Sequence, residues 1–402
     1  MKPLKYLFIS SMLFVATSCG NSWLDLEPST SVDTETSIKI LSDVEFTLNG
    51  IYSTMQSSDA YSGRLVYYGD VTGDDMQAVS STKRVANYYR FNFTKDDNPS
   101  SHWSYLYSII QNCNLILMNI DKLVIDEDDK AYRDDLKGEA LAIRGLALFD
   151  LTRIFGYPYL KDNGASLGVP IIEGLSTIDS KPTRNTVAQC YTKIIDDLTQ
   201  SLSLLGEKFN KGKINKWGAM VLLSRVYLYK GENANALKMA SDAIIGAEKN
   251  KYALWTNEDY PTAWGEDASA SKPGEVLFEI VNLTTDSPGK ESMGYLNSYD
   301  GYDDMCITCS FYQFLKEDPK DIRLQLLSFD KKYYAYVNKY QPQREENIED
   351  ANIPLIRLSE AYLNAAEAAV KENDNDAAVK YLDPIVKRAN PDNTVVGPVS
   401  YT

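Results

Sequence analysis

The sequence predicts a mainly all-α fold, with long irregular loops and a few short β-strands between the helices. Three observations predict it. Apolar side chains recur every three or four positions in several long segments, which is the spacing of one helix face. Two distant stretches share one helix–turn–helix pattern. Two further regions lack a helical period and are rich in Gly, Asp, Asn, Pro and Tyr. Together these features indicate helix pairs that support structured loops.

Three segments show the helical period most clearly: residues 101–120, 138–156 and 186–206. Each is predicted to be a helix with one apolar face. The second helix should end at Gly156 and Pro158, which are typical residues after a helix C-terminus. The residues on the three faces are Trp103, Leu106, Ile110, Leu117 and Ile120; Ala140, Ile143, Ala147, Leu151 and Ile154; and Val187, Tyr191, Ile194, Ile195, Leu198 and Leu202.

Two stretches that begin at Leu222 and Arg357 resemble each other. Each contains a Leu-Ser-x-x-Tyr-Leu helix, a polar turn (residues 231–235 or 372–376) and a second helix that opens on small residues. Paired helices that bury their faces by stacking on neighbours are the unit of tetratricopeptide-like arrays. The match to the strict consensus is loose. We therefore expect tetratricopeptide-like helix pairs without a regular superhelix.

Residues 58–98 and 251–350 are predicted to form long structured loops. They contain short β-type runs such as EVLFEIV at residues 275–281. Loops of this length within a compact body usually carry function. We therefore expect the ligand face on these two regions.

The N-terminus has the pattern of an exported chain. Lys2 and Lys5 precede an apolar run at residues 6–17, which is too short to span a bilayer of about 30 Å. Small residues then lead into Cys19, which resembles a bacterial lipoprotein signal. This resemblance implies a signal peptide at residues 1–18, a lipid joined to Cys19, a tether at residues 19–37 and a single domain at residues 38–402. A secreted protein with an unmodified Cys19 is the alternative.

Composition narrows the class of function. The chain has 402 residues, of which 44% are hydrophobic, and a net charge of −15, so it can bury a sizeable core behind an acidic surface. Such a surface is repelled by phosphate backbones, which argues against a nucleic-acid partner.

Histidine and cysteine usage limits the chemistry further. His102 is the single histidine, so metal sites built on several imidazoles are excluded. It follows Pro99 and Ser100, and we expect it on the surface of a first helical turn. Cys306 and Cys309 have C-x-x-C spacing without a second pair, which leaves a disulfide and two unlinked thiols equally open. No cofactor is expected.

Seven segments in order resemble the SusD/RagB family of outer-membrane nutrient-binding lipoproteins from Bacteroidetes. They are CGNSWLDLEP, HWSYLYSIIQNCNLIL, GEALAIRGLALFDLTRIFGYPYL, PTRNTVAQCYTKIIDDLTQSL, NKWGAMVLLSRVYLYKG, GEVLFEIV and IPLIRLSEAYLNAAEAA. The chain departs from the family pattern by stopping at Thr402, and by lacking early acidic residues after Cys19. The resemblance implies a helical scaffold, a surface-exposed and lipid-anchored protein, and capture of oligosaccharide or, less often, peptide. It also implies a SusC-like TonB-dependent transporter as partner.

Aromatic residues in the predicted loops are the candidates for ligand contact. Sugars present flat patches of C–H groups that an aromatic ring can cover, while amides and carboxylates take the hydroxyl groups. Each ring could instead pack within its own loop. We expect Trp264 and the tyrosines of residues 295–302 to form the platform. The candidate residues are Tyr61, Tyr67, Tyr68, Trp255, Tyr260, Trp264, Tyr295, Asn297, Tyr299, Asp300 and Tyr302.

Two other functions compete with capture. Helical-repeat scaffolds commonly bind proteins, which would fit an adhesive surface protein. A glycoside hydrolase would need two carboxylates about 5 to 9.5 Å apart, and Asp70, Asp74, Asp303 and Asp304 are acidic residues of the loops. The strong negative charge argues mildly against polyanionic glycans, although lysines of KKYYAYVNKYQPQR at residues 331–344 could reverse this locally. The sequence leaves open whether a calcium ion binds beside the sugar.

Overall fold

The computed structural model describes residues 37–94, 100–176, 179–265, 273–330, 334–342 and 347–395. The α-helices of these residues are α1 (Leu41–Met55), α2 (Arg64–Val71), α3 (Ala86–Tyr89), α4 (Ser100–Asn119), α5 (Lys130–Phe155), α6 (Val187–Leu204), α7 (Lys216–Lys230), α8 (Asn233–Lys249), α9 (Met293–Leu296), α10 (Cys309–Lys316), α11 (Leu358–Lys371) and α12 (Asn375–Ala389). The mainly helical prediction is confirmed.

Antiparallel neighbours form the scaffold. α4, α5 and α6 pack side by side, α7 pairs with α8, α8 packs on α11, and α11 pairs with α12. Both predicted helix pairs are therefore present. The turn between α7 and α8 is closed by Gly231, whose φ of +81° lies in the left-handed region that glycine adopts without strain.

The α7–α8 crossing depends on a small residue, Gly246. A Cβ at this position would lie 2.0 Å from the Trp217 ring, which is itself only 6% exposed. Ala243 and Ala247 are also fully buried on the same helix. Small residues thus let the two helix backbones approach closely, as in the predicted pairs.

Helix α5 is buried on every side from Gly138 to Thr152. The prediction that only one face of this helix is buried is therefore wrong. The helix lies between α4 and α6 and also contacts α1. Arg144 is paired inside this layer, donating to Asp197 of α6 at 2.8 and 2.6 Å and to Asn114 of α4 at 2.8 Å. The polar side chain can be buried there because these acceptors replace water.

Among the described residues there are three two-stranded antiparallel sheets, two of which join segments that are distant in the sequence. β1 (Met76–Ala78) pairs with β3 (Met305–Ile307), β2 (Val276–Ile280) with β6 (Ile353–Arg357), and β4 (Leu327–Phe329) with β5 (Ala335–Val337). In the first sheet Met76 is opposite Ile307. The two predicted loop regions are therefore joined to each other.

Two expectations about single residues are resolved. His102 lies in the first turn of α4 as predicted, but its surface position is wrong, because the side chain is only 1% exposed. Residues on both sides of Gly63 cover it: the Asp59 carbonyl oxygen is 3.3 Å from Nδ1, and Tyr68 of α2 packs on the ring at 5.7 Å. Burial lowers the pKa of His102. Cys306 and Cys309 are unlinked thiols.

Candidate functional site

A polar cavity of about 280 Å³ opens beside Tyr299, between the loop at residues 291–304 and the segment at residues 334–342. We call it the Tyr299 pocket. Its lining includes hydroxyl, amide and carboxylate side chains, which are the groups that bind sugar hydroxyls. The polar lining residues are Asn297, Ser298, Tyr299, Asp300, Ser328, Asn338, Tyr340 and Gln341.

Local chemistry shapes the loop at residues 291–304. Ser292 caps the short helix α9 by accepting from the Tyr295 amide at 3.4 Å. The chain then folds back, and the Tyr302 amide donates to the Tyr295 carbonyl at 3.0 Å. Only glycine fits between them at position 301, since a Cβ there would lie 2.0 Å from the same carbonyl oxygen. This tight turn projects Tyr299.

Two cations from the first loop region hold the base of this turn. Arg84 stacks on the Tyr302 ring at 4.0 Å and pairs with Asp304 at 3.0 Å. Lys83 donates to the Tyr302 carbonyl at 2.5 Å. Burial raises the pKa of Asp304, although Arg84 opposes that shift by stabilising the carboxylate. The pairing of β1 with β3 lies beside these contacts, so the turn is anchored on a rigid element.

The Tyr299 pocket has an open ring and an unsatisfied acceptor. Tyr299 is 45% exposed, and its ring packs against Tyr336 at 5.8 Å. Asn297 is 5% exposed and donates its amide to the Val337 carbonyl at 2.6 Å, but its Oδ1 atom has no hydrogen-bond partner. Buried acceptors are nearly always satisfied. A ligand hydroxyl group could supply the missing donor while the ring of Tyr299 covers a C–H face.

The remaining members of this loop play a supporting part. Tyr295 and Tyr302 are half-buried and pack edge-to-face at 5.0 Å, with Arg84 over the second ring. Asp300 is exposed at the mouth of the Tyr299 pocket. The structure thus brings three of the candidate residues, Asn297, Tyr299 and Asp300, to one cavity.

Trp255, Tyr260 and Trp264 form a separate buried cluster, with 4–7% of each residue exposed. Their rings pack edge-to-face at 5.0 to 6.1 Å. Trp264 therefore has little free ring surface to share with Tyr299. Packing within the loop, the alternative left open by the sequence, describes these three residues in the free chain.

Tyr61 and Tyr67 are also buried, whereas Tyr68 is half-buried. The Tyr61 hydroxyl donates to Asp150 at 2.7 Å, and Tyr67 packs against Tyr88. Tyr61 and Tyr68 line a second cavity, of about 380 Å³, whose charged lining residues are Asp150, Arg153 and Arg225. Each guanidinium there is already paired with a carboxylate, Arg153 with Asp150 and Arg225 with Glu360.

The sequence interpretation missed an exposed aromatic group at Tyr89, Phe91 and Phe93. These residues are 37%, 64% and 41% exposed, and the two phenylalanine rings contact edge-to-face at 6.3 Å. Phe91 adopts a φ of +53°, which is uncommon for a bulky side chain. The run of aromatics in YYRFNF was the available signal. Arg84, Asn338 and Gln341 were likewise not predicted.

The described residues contain no group of three or more His, Cys, Asp or Glu side chains placed to hold a metal ion. Nor does any helix among them combine the length and apolarity needed to cross a bilayer. Cys19 lies outside the described part of the chain, so its lipid stays a prediction.

Comparison with known proteins identifies the family. A family model described as starch-binding and associating with the outer membrane matches residues 22–228, which is half of the chain. A second model, described as the SusD family, matches residues 325–399. The chain belongs to the SusD/RagB family.

Individual family members support this assignment. The SusD-like protein P2 of Formosa agariphila is 28% identical over 75% of this chain and 57% of its own length, and P38 of the same organism is 24% identical over 64% and 48%. The chain thus spans about half the length of these curated relatives. The crystal structure of a “Putative sugar binding protein” from Bacteroides vulgatus is 81% identical, with a TM-score of 0.89, over 90% of this chain and 81% of that one. A laminarin binding SusD-like protein, at 19% identity and a TM-score of 0.72, shares the fold.

Proposed function

We propose that this protein is a non-catalytic outer-membrane lipoprotein that captures an oligosaccharide and delivers it to a SusC-like TonB-dependent transporter. The single observation that carries the capture step is the Tyr299 pocket. An exposed ring, an unsatisfied buried acceptor and several amide and hydroxyl groups converge there. The sugar-binding description of the 81% identical relative supports the same class of ligand.

The arrangement favours capture over hydrolysis. Hydrolysis of a glycosidic bond needs one carboxyl group as acid and another as base or nucleophile, both reaching the substrate. Asp303 and Asp304 are instead occupied: Asp303 accepts from Tyr336, and Asp304 is 2% exposed and paired with Arg84. Non-enzymatic binding is therefore our proposal.

The partner and the location follow from the family resemblance. The family is described as associating with the outer membrane, and a lipid on Cys19 would hold the domain at that membrane. A lid over a SusC-like β-barrel would pass the bound glycan inward. Affinity purification that recovers such a barrel supports delivery, while recovery of adhesin or filament proteins alone would favour the competing adhesive function.

A glycan-binding titration with matched tyrosine variants tests the capture step. We expect Tyr299→Ala to weaken binding of a neutral oligosaccharide about tenfold, because stacking on an aromatic ring contributes about 1 kcal/mol and the ring also shields the polar contacts. Tyr157→Ala is the control: it removes a ring that is 56% exposed and lies outside the Tyr299 pocket, so affinity should not change. Calorimetry measures both constants.

Two results would contradict the proposal. Equal affinity of wild-type protein and Tyr299→Ala across a glycan panel would remove the pocket from the binding site. Shortened glycan products after incubation with purified protein would replace capture with catalysis.

A further inference from the structure

The buried aromatic cluster of Trp255, Tyr260 and Trp264 is surrounded by cations. Arg357 stacks on Trp264 with 4.6 Å between its Cζ atom and the ring centroid, and the Lys339 ammonium lies 5.2 Å from the same centroid. Arg388 stacks on Tyr260 at 4.8 Å. Three positive charges therefore meet at one aromatic cluster in a chain whose net charge is −15.

One carboxylate, that of Glu275, serves the two arginines. Its Oε1 atom accepts from Arg357 at 2.8 Å, and its Oε2 atom accepts from Arg388 at 2.6 Å and from the Trp255 amide at 2.9 Å. Glu275 is fully buried, so its oxygens have no further room for Lys339. The group of Glu275, Arg357 and Arg388 already carries one excess positive charge.

Lys339 has no anionic partner among the described residues. No carboxylate of that part of the chain lies within 4.0 Å of its ammonium. Asp70 attracts it from beyond ion-pair distance, and burial raises the pKa of that carboxyl group to about 6, with Lys339 opposing the shift. The indole N–H groups of Trp255 and Trp264 also lack acceptors, although both residues are more than 90% buried. The cluster is rich in donors and short of acceptors.

The segment that carries Lys339 is fixed in place. Gln341 donates its amide to the Pro261 carbonyl at 2.7 Å and to the Asn338 carbonyl at 2.9 Å. These bonds connect the loop of Trp264 to residues 338–342, so the backbone that carries Lys339 is held beside the tryptophan. The site is therefore pre-organised, which lowers the entropic cost of binding.

A cavity of about 600 Å³ gives access to Lys339 and is also lined by Arg323, Arg388, Glu317, Asp318 and Asp321. The two aspartates already have partners: Asp321 pairs with Arg323, and Asp318 accepts from Asn390 at 2.8 Å. Glu317 lies on the exposed rim. Of the cations that line this cavity, Arg323 and Arg388 have ion pairs, whereas Lys339 has no carboxylate within 4.0 Å among the described residues.

The electrostatics agree with this geometry. Burial, followed by the charges of Arg357, Arg323 and Arg388, lowers the pKa of Lys339 to about 8. The ammonium form is therefore disfavoured without a partner. A bound anion would reverse part of that shift and would gain affinity from doing so.

We propose that the cavity beside Lys339 binds an oxyanion, the carboxylate or sulfate group of an acidic sugar, with the Lys339 ammonium as its counter-ion. This inference rests on the proposed capture of carbohydrate and adds the class of sugar. It gives a role to the lysine of the VNKY stretch, within the basic segment at residues 331–344. The acidic surface repels anions at long range, but a desolvated ammonium acts at contact distance.

Tryptophan fluorescence tests the proposal, since Trp264 reports on Lys339 directly. At constant ionic strength and pH 7, we expect saturable responses to oligogalacturonide and, more weakly, to inorganic sulfate. Affinity should fall on the order of tenfold at pH 9.5, where Lys339 is neutral, and by a similar factor in Lys339→Gln. Lys339→Arg keeps the charge and should retain binding. Lys316→Gln removes an exposed lysine of α10 and serves as the control.

The outcomes separate this inference from the proposed function. Oligogalacturonide binding that is unchanged by pH or by Lys339→Gln overturns the oxyanion site, even if neutral glycans still bind at Tyr299. A response to sulfate but to no acidic glycan overturns the assignment to a sugar. Absence of binding by any glycan, charged or neutral, instead contradicts the proposed function.

Discussion

At the scale of single residues, Gly246 shows how one missing methyl group decides a helix crossing. Alanine is the better helix former by up to about 1 kcal/mol. At this position, however, the added Cβ would meet three ring atoms of Trp217 at 2.0 to 2.7 Å. The ring is buried and cannot swing away, so steric overlap outweighs helix propensity.

We therefore expect Gly246→Ala to lower the free energy of unfolding by about 1 to 3 kcal/mol. Gly50→Ala is the matched control, because Gly50 also lies within a helix but has no atom within 4 Å of the added Cβ. That variant should be neutral or slightly stabilising. Urea unfolding of both variants measures the difference. A Gly246→Ala protein as stable as wild type would contradict this account of the crossing.

At the scale of elements, Glu139 makes the contact between α1 and α5 dependent on pH. The carboxyl group is 4% exposed and accepts from the Tyr52 hydroxyl of α1 at 2.7 Å. Burial raises the pKa of Glu139 to about 7, with nearby Lys213 opposing the shift. The folded state thus binds this proton more tightly than the unfolded state, whose carboxyl group has an ordinary pKa.

The contribution of Glu139 to the free energy of unfolding is complete below the ordinary pKa of glutamate and is lost as pH rises through about 7. We expect Glu139→Gln to flatten the decline of unfolding free energy between pH 5 and pH 8, by on the order of 1 to 3 kcal/mol. Chemical denaturation at several pH values checks this. Glu372→Gln, at an exposed helix end, should leave the decline in place. An equal slope in both variants would count against a buried, neutralised Glu139.

Elements also show what the sequence could and could not predict. The helices were predictable because their period depends on neighbours along the chain, and Val187, Tyr191 and Leu198 are buried as expected. The fate of loop aromatics was not. Trp264 and Tyr299 lie in loop segments of similar composition. Contacts with distant segments bury Trp264 but leave Tyr299 exposed. Likewise, His102 is buried by a loop about forty residues earlier in the chain.

At the scale of the whole molecule, the proposed anchor at Cys19 decides where the domain works. We expect the wild-type chain, produced with its signal peptide in a bacterium, to incorporate labelled palmitate and to sediment with membranes. Cys19→Ser should lose the label and much of the sedimentation, since two or more acyl chains are needed for stable attachment. Cys309→Ser removes an exposed thiol of the described domain and should behave as wild type. Unaltered sedimentation of Cys19→Ser would contradict lipid anchoring.

The pairing of β1 with β3 has a consequence for assembly. Met76 meets Ile307 across about 230 residues of chain, so this strand pair must wait until most of the polypeptide has emerged. Contacts of such long sequence separation form slowly, whereas the adjacent helices can assemble on local contacts. The proposed ligand surface therefore forms late in folding, and a chain cut short before residue 305 would keep its early helices without acquiring that surface.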